Sequence, residues 1–283
     1  MPNEHSGKYW DAAWNPITGC TDEYGCWERC WARAMSKRFP AMTGGDFTPR
    51  FHPDRLPKMP GGKGKVIAVN WLGDMFAEGV EQQWQEKVWW EMGGYTEHIF
   101  LVLTKRVEAM CEFVRARVPQ PHIWLGASAY KQRWLNWNLR DLAGLSGWNR
   151  WLSLEPMLYP MSLNEAMDDW WESANCPKWV VVGGETGPGA RKCDPDWIRG
   201  IRDECAAHGV PLWVKQINRK CRLAEMPEDL RVREVPAEVG RPISHGEAMR
   251  IARETLETAE RERIEVARAE AKRGIHYKDE TGD

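Results

Sequence analysis

The chain has 283 residues, 42% of them hydrophobic, which is enough for one barrel-sized domain with a filled core. A formal net charge of −2 excludes a global field that would draw in a polyanion, so any nucleic-acid contact has to come from a local basic patch. The polar start from Met1 to Trp10, and a sequence with no apolar run of bilayer-spanning length, predict a cytoplasmic protein with no membrane partner.

In chain order, short β-like runs ending in small or polar residues alternate with segments of helical apolar spacing, the pattern of βα units. The first run, Tyr9–Thr18, leads into a cysteine-bearing loop and a helix over Trp27–Arg38, and Gly- and Pro-rich sequence from Ala41 to Gly64 forms a long connection. Lys65–Trp71 ends in Gly73-Asp74 and precedes a helix with Trp84, Val88 and Met92 on one face. His98–Leu103 ends in Thr104-Lys105-Arg106, and Val107, Met110, Cys111 and Val114 behind it have core spacing.

His122–Gly126 ends in Ala127-Ser128 before a helix with Leu135, Leu139 and Leu142 aligned. Arg150–Leu154 ends in Glu155-Pro156 before a helix bearing Leu163, Met167 and Trp170, and Lys178–Val182 ends in Gly183-Gly184-Glu185 before Ile198, Ile201 and Cys205. A last run, Val210–Val214, ends in Lys215-Gln216. The fold class is α/β, a complete or partial parallel (βα) barrel; a doubly wound open sheet also fits the alternation. Either gathers the cysteine loop, Asp74, Lys105, Arg106, Ser128, Glu155, Glu185 and Lys215 at one end.

The expected organisation is a barrel over residues 1–225 and an extension over 226–283. From Gly246 to Arg273 the composition shifts to Glu, Arg and Ala, with Ile251, Leu256 and Ile264 too sparse for a core stripe, which predicts a long, solvated, charged helix. Near-balance of acids and bases argues against a basic binding arm there. The 18 tryptophans read as core residues from their spacing, with base-stacking surfaces as the alternative.

Eight cysteines are too few for a dense disulfide framework at this length, so clustered ones point to metal binding or catalysis. Cys20, Cys26 and Cys30 cluster as C-x5-C-x3-C in a Thr-, Asp- and Gly-containing loop. A closed zinc site would need a distant fourth ligand such as Cys193 or Cys221. A four-iron cluster on three cysteines instead leaves one iron open, a catalytic arrangement. Cys111 and Cys205 read as core, and Cys176, Cys193 and Cys221 lack partner spacing.

Trp14-Asn-Pro-Ile-Thr-Gly-Cys20, Cys30-Trp31-Ala32, Leu103-Thr-Lys-Arg106, Ser153-Leu-Glu-Pro156, Gly183-Gly-Glu-Thr-Gly187 with Arg191, and Val214-Lys-Gln216 resemble the phage-associated three-cysteine-motif family allied to radical S-adenosylmethionine (SAM) enzymes. The blocks run from about residue 9 to 217 and fall at successive strand ends. The wider superfamily most often shows C-x3-C-x2-C, and its Gly-Gly-Glu motif ordinarily follows the second strand, whereas Gly183-Gly184-Glu185 here follows the sixth.

The resemblance implies a radical SAM-type barrel in which Cys20, Cys26 and Cys30 bind a 4Fe-4S cluster, S-adenosyl-L-methionine is the second cofactor, and an external electron donor reduces the cluster. It places Asp74 and Ser128 at the ribose, Lys105 or Arg106 at the SAM carboxylate, Glu155 at its amine or hydroxyls, and Gly183 and Gly184 beside the cofactor. Glu185, Arg191 and Lys215 then face substrate. It also implies DNA hypermodification in phage-infected host cytoplasm as a means of restriction evasion. The specific expectation is an isomerase that converts glycine joined through nitrogen to thymidine in phage DNA into a carbon-linked glycine. The flipped base would stack on exposed tryptophans such as Trp71 or Trp213. A metal-stabilised DNA- or protein-binding module, and a barrel lyase using Lys105 or Lys215 as a Schiff-base amine, are the alternatives.

Overall fold

The computed structural model describes residues 7–22, 25–62, 64–167, 171, 173, 176–187, 189–218, 225–239, 244 and 246–254, with isolated positions to 264. Trp170, Cys221, Leu256 and most of the predicted charged helix lie outside the described residues.

The elements follow the predicted order: β1 (Ala12–Trp14), β2 (Ile17–Thr18), α1 (Trp31–Arg38), α2 (Pro40–Thr43), β3 (Arg50–Phe51), β4 (Val66–Val69), α3 (Gln82–Gly94), β5 (Ile99–Thr104), α4 (Val107–Val114) and β6 (Ile123–Ser128). Then come α5 (Gln132–Ala143), β7 (Asn149–Leu154), α6 (Leu163–Met167), β8 (Val180–Val182), α7 (Pro195–Ala207) and β9 (Leu212–Val214). Seven strands form one all-parallel sheet in the order β1-β4-β5-β6-β7-β8-β9, curled into a half-barrel. This is the partial form of the expected barrel. The connection predicted as irregular also contains β3, which pairs antiparallel with β2 and holds the chain just before the cysteine loop.

Strand alternation sorts the side chains into two cores. Phe100, Val102, Ile123, Leu125, Leu152, Val180, Val182, Leu212 and Val214 pack outward with the predicted helix faces, Cys111 and Cys205 among them. The alternate residues, Val66, Ile99, Leu101, Trp124, Trp151, Trp179, Val181 and Trp213, fill the concave face around Tyr9. A wholly buried indole brings a large apolar area out of water, and four of them line a cavity too wide for aliphatic residues to fill. Trp213, expected as an exposed stacking surface, is therefore corrected to a core residue at 0% exposure, whereas Trp71 is only partly buried. Gly126 makes this packing possible: a Cβ there would stand deep inside the Trp151 indole.

Among the described residues β1 and β9 are the free edges of the sheet. Tyr9 spans the seam, with its ring 5.6 Å from Trp179 and 6.3 Å from Trp213. Beyond it the backbone around Val232–Glu234 runs along β9, with Val214 N–H donating to Val232 and Glu234 N–H to Leu212. That covers an otherwise exposed strand edge. Residues 246–254 are helical; Ala248 and Ala252 are buried, while Arg250 pairs with Glu254 on the exposed side. Among the described residues no helix is long and apolar enough to cross a membrane.

Gly126→Ala is expected to destabilise the fold by about 2 kcal/mol through overpacking against Trp151. A urea midpoint equal to that of wild type would contradict this account of the concave core.

Candidate functional site

The predicted strand ends lie at the C-terminal mouth of the half-barrel, where βα loops carry chemistry in parallel barrels. The cysteine loop is fixed at its base by backbone. Gly19 bridges to Gly73, Asp74 N–H donates to the Gly19 carbonyl at 3.0 Å, and Cys20 N–H donates to the Phe47 carbonyl at 2.9 Å. Phe47 is held at φ 65° and Asn70, whose side chain accepts the Ile17 N–H, at φ 56°. Left-handed backbone at non-glycine residues costs about 1–3 kcal/mol each. Phe47 meets the start of the cysteine loop at Cys20, and Asn70 meets β2 at Ile17.

Beneath Cys20 lies a buried ion pair. Arg106 Nη1 donates to Asp74 Oδ2 at 3.1 Å and to Cys20 Sγ at 3.5 Å, and its Nη2 donates to the Thr21 carbonyl and hydroxyl at 2.9 and 2.8 Å. Asp74 also accepts from the Thr104 hydroxyl at 2.8 and 2.9 Å and from the Phe76 N–H at 2.9 Å. Asp74 and Arg106 thus direct their polar atoms at the protein and join the ends of β4 and β5 to the cysteine loop. Lys105, before Arg106 in sequence, lies close enough to Cys26 for its charge to oppose the rise that burial imposes on that thiol, and with Ser128, Tyr130, Trp134 and Asn138 it lines a crevice too tight for a water molecule.

Cys20, Cys26 and Cys30 are free thiols within electrostatic reach of one another in sequence: Cys26 acts on Cys20, and Cys30 acts on Cys26. Burial pushes the Cys20 thiol up to about 11, with Asp74 adding and Arg106 opposing; burial also raises Cys26, against Lys105. Among the described residues no group of three or more His, Cys, Asp or Glu surrounds a single-ion position. Glu23 and Tyr24, inside the loop, lie outside the described residues. Three sulfurs on one loop are donors of the type that an iron–sulfur cluster takes. Cys193, the distant zinc-ligand candidate, is buried at the foot of α7 beside Gly184.

Across the mouth, Glu185 is buried and gripped by Arg191, whose N–H and Nε donate to Oε2 at 2.8 and 3.0 Å and whose Nη2 donates to Oε1 at 2.6 Å. Those hydrogen bonds and the guanidinium charge hold the Glu185 carboxyl below the usual range despite burial. Arg29, between Cys26 and Cys30, reaches the same carboxylate at 3.8 Å and donates to the Gly189 carbonyl at 2.7 Å. The cysteine loop and the loop after β8 are thereby latched together. Gly184 is needed for close approach, because a Cβ would strike the Ile217 backbone; at Gly183 it would crowd Glu155 and Gln216.

The third group faces the concave side. Lys215 Nζ pairs with Glu155 Oε2 at 2.7 Å, and Glu155 Oε1 accepts from the Tyr9 hydroxyl at 3.3 Å and the Ser153 hydroxyl at 3.5 Å. The ammonium stands 5.9 and 5.5 Å from the Tyr9 and Trp10 ring centres, a cation–π arrangement. Burial and the Glu155 charge drive the Tyr9 phenol well above its usual range, so it serves as a neutral donor. Tyr9, Arg29, Thr21 and Thr104 are members of this site that sequence patterning passed over. Arg29 was within view, being the one cation between two clustered cysteines.

A family described as protein of unknown function (DUF5131) matches residues 5–269. No curated protein and no solved structure matches the chain.

Asp74→Ala is expected to cost about 3–5 kcal/mol by stranding a buried guanidinium, read as a lower denaturation midpoint. Because Arg191 depresses the Glu185 carboxyl in the folded state, its stabilisation is present above the ordinary Glu value of about 4.3 and fades as pH falls through that range. The stability gap between wild type and Glu185→Gln should therefore narrow on acidification from neutral pH to about pH 3. A gap independent of pH would show that the Arg191 grip does not stabilise the fold.

Proposed function

Because the chain belongs to the DUF5131 family, described as protein of unknown function, its chemistry is inferred from the mouth residues, and we propose that it is a radical SAM enzyme in which Cys20, Cys26 and Cys30 hold a 4Fe-4S cluster. The observation that carries this reading is the gathering of three free, electrostatically coupled thiols on one loop at the C-terminal mouth of a parallel half-barrel. Bound there, cluster and SAM together supply a 5′-deoxyadenosyl radical able to take hydrogen from an unactivated carbon.

The chain's own residues have separable roles in this reading. Asp74 and Arg106 are positioning residues: they fix the base of the loop so that Cys20 keeps its place as its thiol is deprotonated. Lys105 and Ser128, at the ends of β5 and β6, supply a cation for the SAM carboxylate and a hydroxyl for its ribose. Gly183 and Gly184 let the loop after β8 press against Gln216 and Ile217. Glu155 is positioned by Tyr9 and Lys215, and Lys215 and Arg191 offer positive charge to a substrate carboxylate. The Lys215–Glu155 pair keeps that amine engaged, which weighs against a Schiff-base lyase. The concave tryptophans exclude water from the space where a carbon radical would form.

The substrate reading is glycine linked through nitrogen to thymidine in phage DNA, isomerised to the carbon-linked form. Trp71, partly exposed at the mouth and stacked at 25° to Trp151, offers the surface for a flipped base.

Anaerobic reconstitution should give a brown protein containing iron and sulfide, and an electron paramagnetic resonance signal of the reduced protein that shifts on adding SAM. Cys20→Ser, Cys26→Ser and Cys30→Ser should each lose the signal and SAM cleavage. A colourless protein carrying one zinc would sink the enzyme reading in favour of a binding module. SAM cleavage with glycine-bearing DNA left unchanged by nucleoside mass spectrometry would remove the isomerase and keep the enzyme class.

A further inference from the structure

Helix α5 starts at the mouth, just after β6 ends at Ser128, and its first turns are aromatic and cationic. Arg133, Trp134 and Trp137 fall on the face turned away from the buried Leu135, Leu139 and Leu142. Trp137 is 41% exposed, and Tyr159, on the loop after β7, is 48% exposed. Cations lie against these rings: the Arg133 guanidinium is 4.1 Å from the Trp137 ring centre, and the Lys131 ammonium is 5.5 Å from that of Tyr130 and 5.7 Å from that of Tyr159. The exposed rings of this face thus each have a positive charge beside them.

Residues 128–140 hold Lys131, Arg133 and Arg140 and no acid. Arg140 is offset by Asp141 beside it in the last turn of α5, away from the mouth, and Glu165 stands on the adjacent α6. Among the described residues no carboxylate forms an ion pair with Lys131 or Arg133, whose charges are set against rings. Tyr130 and Trp134 also line, with Lys105 and Ser128, the crevice at the ends of β5 and β6, so this face adjoins the mouth. Because the crevice admits no water molecule, it gives no pocket to a free nucleotide or to an anchoring side chain of a partner protein. Recognition on this side of the mouth therefore has to run along the surface.

Exposed rings interleaved with cations match an unpaired polynucleotide, whose bases stack on the rings while its phosphates meet the charges. In a duplex the base faces are already stacked on one another, and contacts pass to phosphates and groove edges instead. We infer that the face of α5 bearing Arg133 and Trp137, together with Tyr159, is a track for an unpaired stretch of DNA strand leading to the mouth. This rests on the DNA-substrate reading above and adds that nucleotides beside the flipped base are also out of the duplex. Trp137 and Tyr159 take bases, and Lys131 and Arg133, each already held beside a ring, take the phosphates between them.

The experiment uses the full chain, reconstituted anaerobically, and measures fluorescence anisotropy of a labelled single-stranded oligothymidylate, with duplex of the same length and thymidine monophosphate as competitors. Wild type is expected to bind the single strand about tenfold or more tighter than the duplex, with no competition from the mononucleotide at equal nucleotide concentration. Trp137→Ala should weaken binding about tenfold and leave its salt dependence unchanged, because a stacking contact releases no counterion. Arg133→Gln should make the slope of log affinity against log salt shallower by about 0.7, the share of one phosphate on a single strand. Trp90→Ala, which removes an indole 82% exposed on α3, should bind as wild type does. SAM cleavage without DNA should be the same in all three variants. Equal binding by wild type, Trp137→Ala and Arg133→Gln overturns the track, and so does duplex or mononucleotide bound as tightly as the single strand. The expected binding pattern, with glycine-bearing single strand left unconverted by nucleoside mass spectrometry, supports the track and removes the isomerase.

Discussion

The mouth of the half-barrel depends on one buried pair, Asp74 with Arg106, because these two side chains tie three separate pieces of chain to one another. Asp74 follows β4, Arg106 follows β5, and the guanidinium reaches Cys20 and Thr21 in the loop after β2. Neither charge could be buried alone; together with the Thr104 hydroxyl and the Phe76 N–H they satisfy each other and leave the loop one position to adopt. The strained backbone at Phe47 and Asn70 is tolerable only because this arrangement is over-determined.

A second constraint acts from below. Seven strands do not complete a cylinder, and the concave face is made into a core by indoles. Tyr9 is where the two constraints meet. Its ring is packed by Trp10, Trp71, Trp151, Trp179 and Trp213, while its hydroxyl enters the polar layer through Glu155. The transition from apolar floor to polar mouth is thus made within one side chain.

Much of the fold was legible because the strand runs end in small or polar residues and most are followed by a segment of helical periodicity. The runs at Lys65–Trp71, His98–Leu103 and Arg150–Leu154 became β4, β5 and β7, and the aligned Val107, Met110 and Val114 became a buried face. The β2–β3 ladder escaped notice because two residues per strand are too few to show alternation. For the same reason residue chemistry alone misplaced Trp213: an aromatic in a three-residue strand looks the same whether its face is filled or open. The polar strand-end residues were legible as a set, but their partners were not. Pairings such as Lys215 with Glu155, Arg29 with Glu185 and Arg106 with Asp74 join distant segments, and only the curl of the sheet decides which meet.

The seam between the sheet's two edges also bears on how the chain acquires its shape during synthesis. Consecutive parallel strands can zip together as they leave the ribosome, since each pairs with the one made just before it. Tyr9 cannot take its place so early: Glu155 follows it by 146 residues, and Trp213, whose indole donates to the Gly7 carbonyl, comes 206 residues after that glycine. The Tyr9–Trp10 segment therefore cannot be fully buried until Trp179 and Trp213, translated long after it, have taken their places around the tyrosine ring.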